Sequence, residues 1–136
     1  MSVLKHAVLF AFLALACHNS DSPTAPGAAE SLPHGTLNGT VTIGPNCPVE
    51  TTNPCPTPPS AYALRKVLVF DESREKVIAT VDIDEHGFYR VDLVPAKYVV
   101  DLMKTGADKS PDVPANVTIQ QNVVTKIDIN IDTGLR

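Results

Sequence analysis

From Gly35 onward, apolar and polar side chains change places at nearly every step. The clearest stretch is 123–132. Val123, Thr125, Ile127, Ile129 and Ile131 fall on one side, and Val124, Lys126, Asp128, Asn130 and Asp132 on the other. A period of two with β-branched residues on one face predicts a half-buried strand. Tyr89, Val91 and Leu93 alternate with Phe88, Arg90 and Asp92 in the same manner, and Leu37, Gly39, Val41 and Ile43 share one face of an earlier run. Residues 67–70 and 77–81 are shorter and continuously apolar, as expected of strands covered on both faces. Polar links separate these runs: 71–75, then 84–87 ending in Gly87, then 95–97, then the long segment 104–114. Seven strands are predicted, near 35–43, 65–71, 76–83, 86–94, 97–103, 113–119 and 123–131, with no amphipathic helix of useful length. Short alternating strands with frequent turns predict an all-β domain over 35–136, a seven-stranded antiparallel two-sheet sandwich around one core.

The first part of the chain reads differently. Residues 1–6 carry one Lys, and 7–16 (AVLFAFLALA) are unbroken apolar. Ten residues fall short of the roughly 20 needed to span a bilayer, so the run predicts a signal-peptide core over 1–16. Two cleavage patterns fit. Ala14-Leu15-Ala16 suits ordinary signal peptidase and a secreted product. The same residues leading into Cys17 resemble a bacterial lipobox, in which the Cys is acylated and becomes the first residue of the mature chain. That family prefers Leu where Ala14 stands; here Leu13 lies one place earlier.

Cysteine arithmetic favours lipidation. The three cysteines are Cys17, Cys47 and Cys55. An exported chain meets oxidising conditions, and an odd thiol needs a fate. If Cys47 and Cys55 close a small ring, acylation of Cys17 accounts for the third. Residues 18–33 (HNSDSPTAPGAAESLP) have no hydrophobic periodicity and suit a flexible tether, so 17–34 form the lipidated Cys and its linker. Residues 18–34 reach at most about 60 Å. Two or three acyl chains make an anchor permanent. The expected partner is therefore the lipid bilayer, reached through acylated Cys17. His18 rather than Asp after the Cys points, by resemblance to Gram-negative lipoproteins, to the outer membrane of the cell envelope.

Composition narrows the function. The formal net charge is −4, there is no Trp, and the other aromatics are four Phe and three Tyr. An acidic chain poor in stacking rings argues against nucleic acid. Cys47 and Cys55 lack CxxC spacing and a His-rich partner set, so a structural disulfide suits them better than a metal. Six of the twelve prolines fall between residues 44 and 61, stiffening that loop and making it a candidate recognition element. Asp82, Asp84 and Glu85 cluster without EF-hand spacing and read as a solvated turn. No HExxH or GxSxG occurs. No catalytic residue, metal or cofactor is expected. Tyr62 and Phe88, taken as exposed, are the candidate binding residues for a glycan or peptide.

GTLNGTVTIGPNCPV, Cys55-Pro56, Tyr62, DEHGFYRVDLVPAKYVV and the terminal IDTGLR together resemble small bacterial lipoproteins with a carboxypeptidase regulatory-like, or transthyretin-like, domain. The resemblance implies a β-sandwich over most of 35–136 and no established activity. One departure is Val94-Pro95-Ala96 where the family has Pro-Pro-Gly. A positive φ at Ala96 would cost roughly 1 kcal/mol relative to Gly. Pilin-type sandwiches join a first-strand Lys to an Asn, but residues 35–43 contain no Lys. A purine-pathway hydrolase of this architecture ends in Tyr-Arg-Gly-Ser, which is missing here. The expected function is a membrane-tethered, non-catalytic binding or structural module with an envelope protein or glycan as partner. The alternatives are a carbohydrate-binding module and a hydrolase.

Overall fold

The computed structural model describes residues 31–48 and 55–135. Alternation along GTLNGTVTIG forms β1 (Gly35–Gly44), whose Leu37, Val41 and Ile43 are buried. A one-turn helix, α1 (Pro59–Ala63), follows, with proline in its first turn, where a missing N–H costs nothing. Then come β2 (Lys66–Asp71), β3 (Val77–Asp82), β4 (Phe88–Leu93), β5 (Lys97–Met103), β6 (Ala115–Thr118), β7 (Val124–Lys126) and β8 (Ile129–Asp132).

These strands form two four-stranded sheets. In the first, β1 lies between β4 on one side and β7 and β8 on the other; the second has the order β3-β2-β5-β6. The fold is thus an all-β two-sheet sandwich. Leu37, Val41, Tyr89 and Ile129 from the first sheet meet Val67, Val69 and Val100 from the second in the fully buried centre, with Ile119 beyond β6.

Two sequence expectations are corrected. The last segment forms two strands rather than one, so eight are seen among the described residues instead of seven. They also run parallel to β1, so the sandwich is not wholly antiparallel. The register is nonetheless continuous: Thr36 pairs with Val124 and Val41 with Ile129, and 124 − 36 and 129 − 41 both give 88. The interruption has a local cause. The Ile127 carbonyl accepts from the buried Tyr89 hydroxyl at 2.6 Å, and the Asp128 carboxylate accepts from the Thr40 N–H at 2.9 Å. A side chain has taken the place of a ladder carbonyl.

The second correction concerns β3, expected to be covered on both faces. It is an edge strand with Val77 and Ile78 exposed. The doubly covered strand is β5, in which every residue from Tyr98 to Leu102 is buried. It is central, and Arg74 helps cover its outer face by bonding Asp101 at 2.6 Å while its guanidinium lies 5.7 Å from the Phe70 ring centre.

Ala96 takes no positive φ: among the described residues the only non-glycine positions with one are Arg74 and Asn122, so the turn before β5 avoids that strain. The Tyr98 hydroxyl braces it by donating to the Val94 carbonyl at 2.7 Å.

Candidate functional site

Cys47 and Cys55 are joined in a disulfide, with their Cα atoms 6.1 Å apart. The bond lies at the end of the sandwich where β1 finishes. Asn46 organises this loop: its Nδ2 donates to the Ile43 carbonyl at 2.9 Å, the Cys55 carbonyl at 3.2 Å and Thr57 Oγ1 at 2.9 Å. One amide thereby ties the exit of β1 to the far arm of the ring. Thr133 Oγ1 donates to the Pro45 carbonyl at 2.6 Å, bringing in the C-terminal segment.

An open groove of about 350 Å³ lies beside this loop, lined by Ile43, Pro45, Asn46, Ala61, Arg65, Asp108 and Thr133 among others. Arg65 and Asp108 form a buried fork-to-fork pair, Nε to Oδ2 at 2.7 Å and Nη2 to Oδ1 at 2.8 Å. Such a pair is charge-assisted and geometrically specific. Arg65 Nη1 also donates to the Ala61 carbonyl at 2.7 Å, and Asp108 accepts from the Thr105 N–H at 3.0 Å. Burial pushes the Asp108 carboxyl up. The Arg65 hydrogen bonds, the Thr105 N–H and the Arg65 charge outweigh it, holding the group below the usual carboxylate range. The pair bolts α1 to the segment after β5. That segment is fastened again where the backbones of Lys109 and Asp132 exchange hydrogen bonds, and where Asp112 accepts from Asn130. The long polar link is a strap across β8.

A second groove, of about 400 Å³, runs along the edge of the sandwich and is lined by Asn38, Asp82, Ile83, Asp84, Phe88, Tyr89 and Arg90. The Phe88 ring is 53% exposed, as expected. Asp84 accepts from the N–H groups of His86 and Phe88 at 2.9 and 2.8 Å, and Gly87 takes φ 87° to close the turn. The Phe88 bond leads in holding the Asp84 carboxyl below its ordinary range. Asp82 is ion-paired with Lys66. The acidic cluster is therefore a capped turn, and Glu85 beside it is exposed.

Tyr62, expected at the surface, is only 9% exposed and belongs to the core. Its ring would lie 3.1 Å from a Cβ on Gly87, so that glycine makes room for it. Being buried removes Tyr62 from any surface site and leaves Phe88 alone of the pair. Cys17 and His18 lie outside the described residues. Among the described residues no group of three or more His, Cys, Asp or Glu side chains could hold a metal. Asn46 and the Arg65–Asp108 pair escaped sequence reasoning. Arg65 and Asp108 are 43 positions apart, and only the fold makes them neighbours.

These features define a two-sheet β-sandwich with a disulfide-braced loop at one end and an aromatic groove along one edge. No family model matches the chain, and no curated protein matches it. Among solved structures it is similar to GBS52, the minor pilin of Streptococcus agalactiae, at 14% identity and a TM-score of 0.53, over 74% of this chain and 45% of that one. That likeness concerns the fold. It is also similar to a DUF3823 family protein from Bacteroides ovatus, at 19% identity and a TM-score of 0.45, over 71% of this chain and 44% of that one. A DUF3823 family protein from Parabacteroides merdae gives 16% and 0.42, over 74% and 47%. The chain spans less than half the length of each.

Proposed function

We propose that this protein is a lipid-anchored, non-catalytic β-sandwich of the bacterial envelope, of the transthyretin-like or carboxypeptidase regulatory-like kind, acting as a binding or structural module. One observation supports this reading above the others. Cys47 and Cys55 are bonded to each other, so Cys17, directly after the apolar run, is the cysteine left over. Acylation at that position gives it a use and places the sandwich on a short leash at the outer membrane. Fractionation of cells expressing the full chain and C17A tests this. The native chain is expected in the membrane pellet and the variant in the soluble fraction. Equal partition of the two would refute the anchor.

A second reading, a glycan-binding module, draws on the Phe88 groove. An exposed ring beside Asn38, Asp84 and Arg90 offers an apolar face for a sugar ring and polar groups for its hydroxyls. Glycan-array binding that F88A abolishes without altering the melting curve would establish it, and no binding by the native chain would retire it.

A further inference from the structure

The chain enters the sandwich at a corner that carries several exposed apolar side chains. Gly35 pairs with Leu93 and Thr36 with Val124, the Thr36 N–H bonds the Val123 carbonyl, and the Asn122 N–H bonds that of His34. These contacts bring Val94, Val123 and Val124 to the corner where residues 32–34 arrive. Leu32 is 72% exposed there, Val124 62% and Val94 49%.

We propose that this corner rests on the bilayer that holds the acylated Cys17, so that the sandwich stands on the membrane with its disulfide loop pointing away. The inference rests on the lipid-anchor reading and goes beyond it, since an anchored domain is otherwise free to tumble.

The occupant follows from where the chain outside the structure leads. Residues 18–31 reach at most about 50 Å from Cys17, and they join the sandwich at this corner and no other. A leash that short keeps the bilayer at high effective concentration, so a small apolar patch suffices where it would fail for a free protein. Charges nearby pair with one another, Lys97 with Glu72 and Arg90 with Asp92. The contact is therefore apolar, independent of anionic lipid and insensitive to salt. β1 runs its ten residues away from this corner. At about 3.3 Å per residue, the Cys47–Cys55 loop stands roughly 30 Å farther out, where a partner in the aqueous compartment meets it.

The chain has no Trp, so a single introduced one is an unambiguous depth probe. V124W, made in the full lipidated chain and reconstituted into phosphatidylcholine vesicles, reports on the corner. L64W, on an exposed residue just after α1, reports on the opposite end. Brominated lipid is expected to quench V124W at least twofold and to leave L64W unchanged at both low and high salt. Adding L32S and V94S to V124W should abolish the quenching while the protein still sediments with the vesicles. Sedimentation with V124W unquenched, or with both probes quenched equally, would overturn the docking and leave the anchor standing. Failure to sediment would overturn both.

Discussion

A Cβ on Gly39 would lie 1.7 Å from the Ile127 carbonyl oxygen and 2.9 Å from the Tyr89 ring. No rotamer relieves an overlap with backbone, so β1 and the neighbouring chain at Ile127 must move apart. G39A is expected to destabilise the domain by at least about 2 kcal/mol, in line with overpacking of a filled core. Urea denaturation measures this, and a midpoint equal to that of the native chain would contradict the close approach. The buried Arg65–Asp108 pair makes a different demand. Removing one partner strands a charge, at a cost of roughly 3–5 kcal/mol, a large part of the 5–15 kcal/mol typical of a domain. Asp108 is held below its ordinary range in the folded state. Its ionised form therefore contributes stability that is fully present above the unfolded value, about 3.9, and is lost as pH falls through the lower folded value. D108N should be much less stable than the native chain at pH 7, and the gap should close below about pH 4. A gap that persisted unchanged into strong acid would count against the pair.

The ring closed by Cys47 and Cys55 is an element in its own right, since Asn46 ties its base to β1. Closing a loop this small contributes about 2–3 kcal/mol in the chain-entropy account. The double variant C47S/C55S is thus expected to melt at least about 10 °C lower, whereas an unchanged melting temperature would mean that the pair is not bridged in the native protein. Elements of this kind mark the boundary of what local pattern reveals. β1 and β4 were legible because their period of two reports burial on one face, and Gly87 was legible because a polar link with glycine is a turn. The split between β7 and β8 was not, because it depends on Tyr89 and Thr40, each far along the chain from Ile127 and Asp128. Continuous apolar character misplaced β3: Val77 and Ile78 look like a covered strand, yet which strand lies at an edge is decided by sheet order. For the candidate site, the disulfide and the exposed Phe88 could be read from spacing and alternation. Tyr62 could not be placed, because its burial requires α1 to fold against Gly87.

For the molecule as a whole, the organisation is directional. The chain enters at the start of β1, and the disulfide loop, the buried ion pair and the strap over 104–114 gather at its other end. That division suits a module held at one end and presented at the other, with the Phe88 groove along its flank. The proposed role turns on what holds the entry end. The direct test is intact-mass spectrometry of the protein purified from membranes of its native host. The mature chain is predicted to begin at Cys17 and to carry the added mass of two or three acyl chains. An unmodified Cys17, cleavage elsewhere or a retained leader would contradict it.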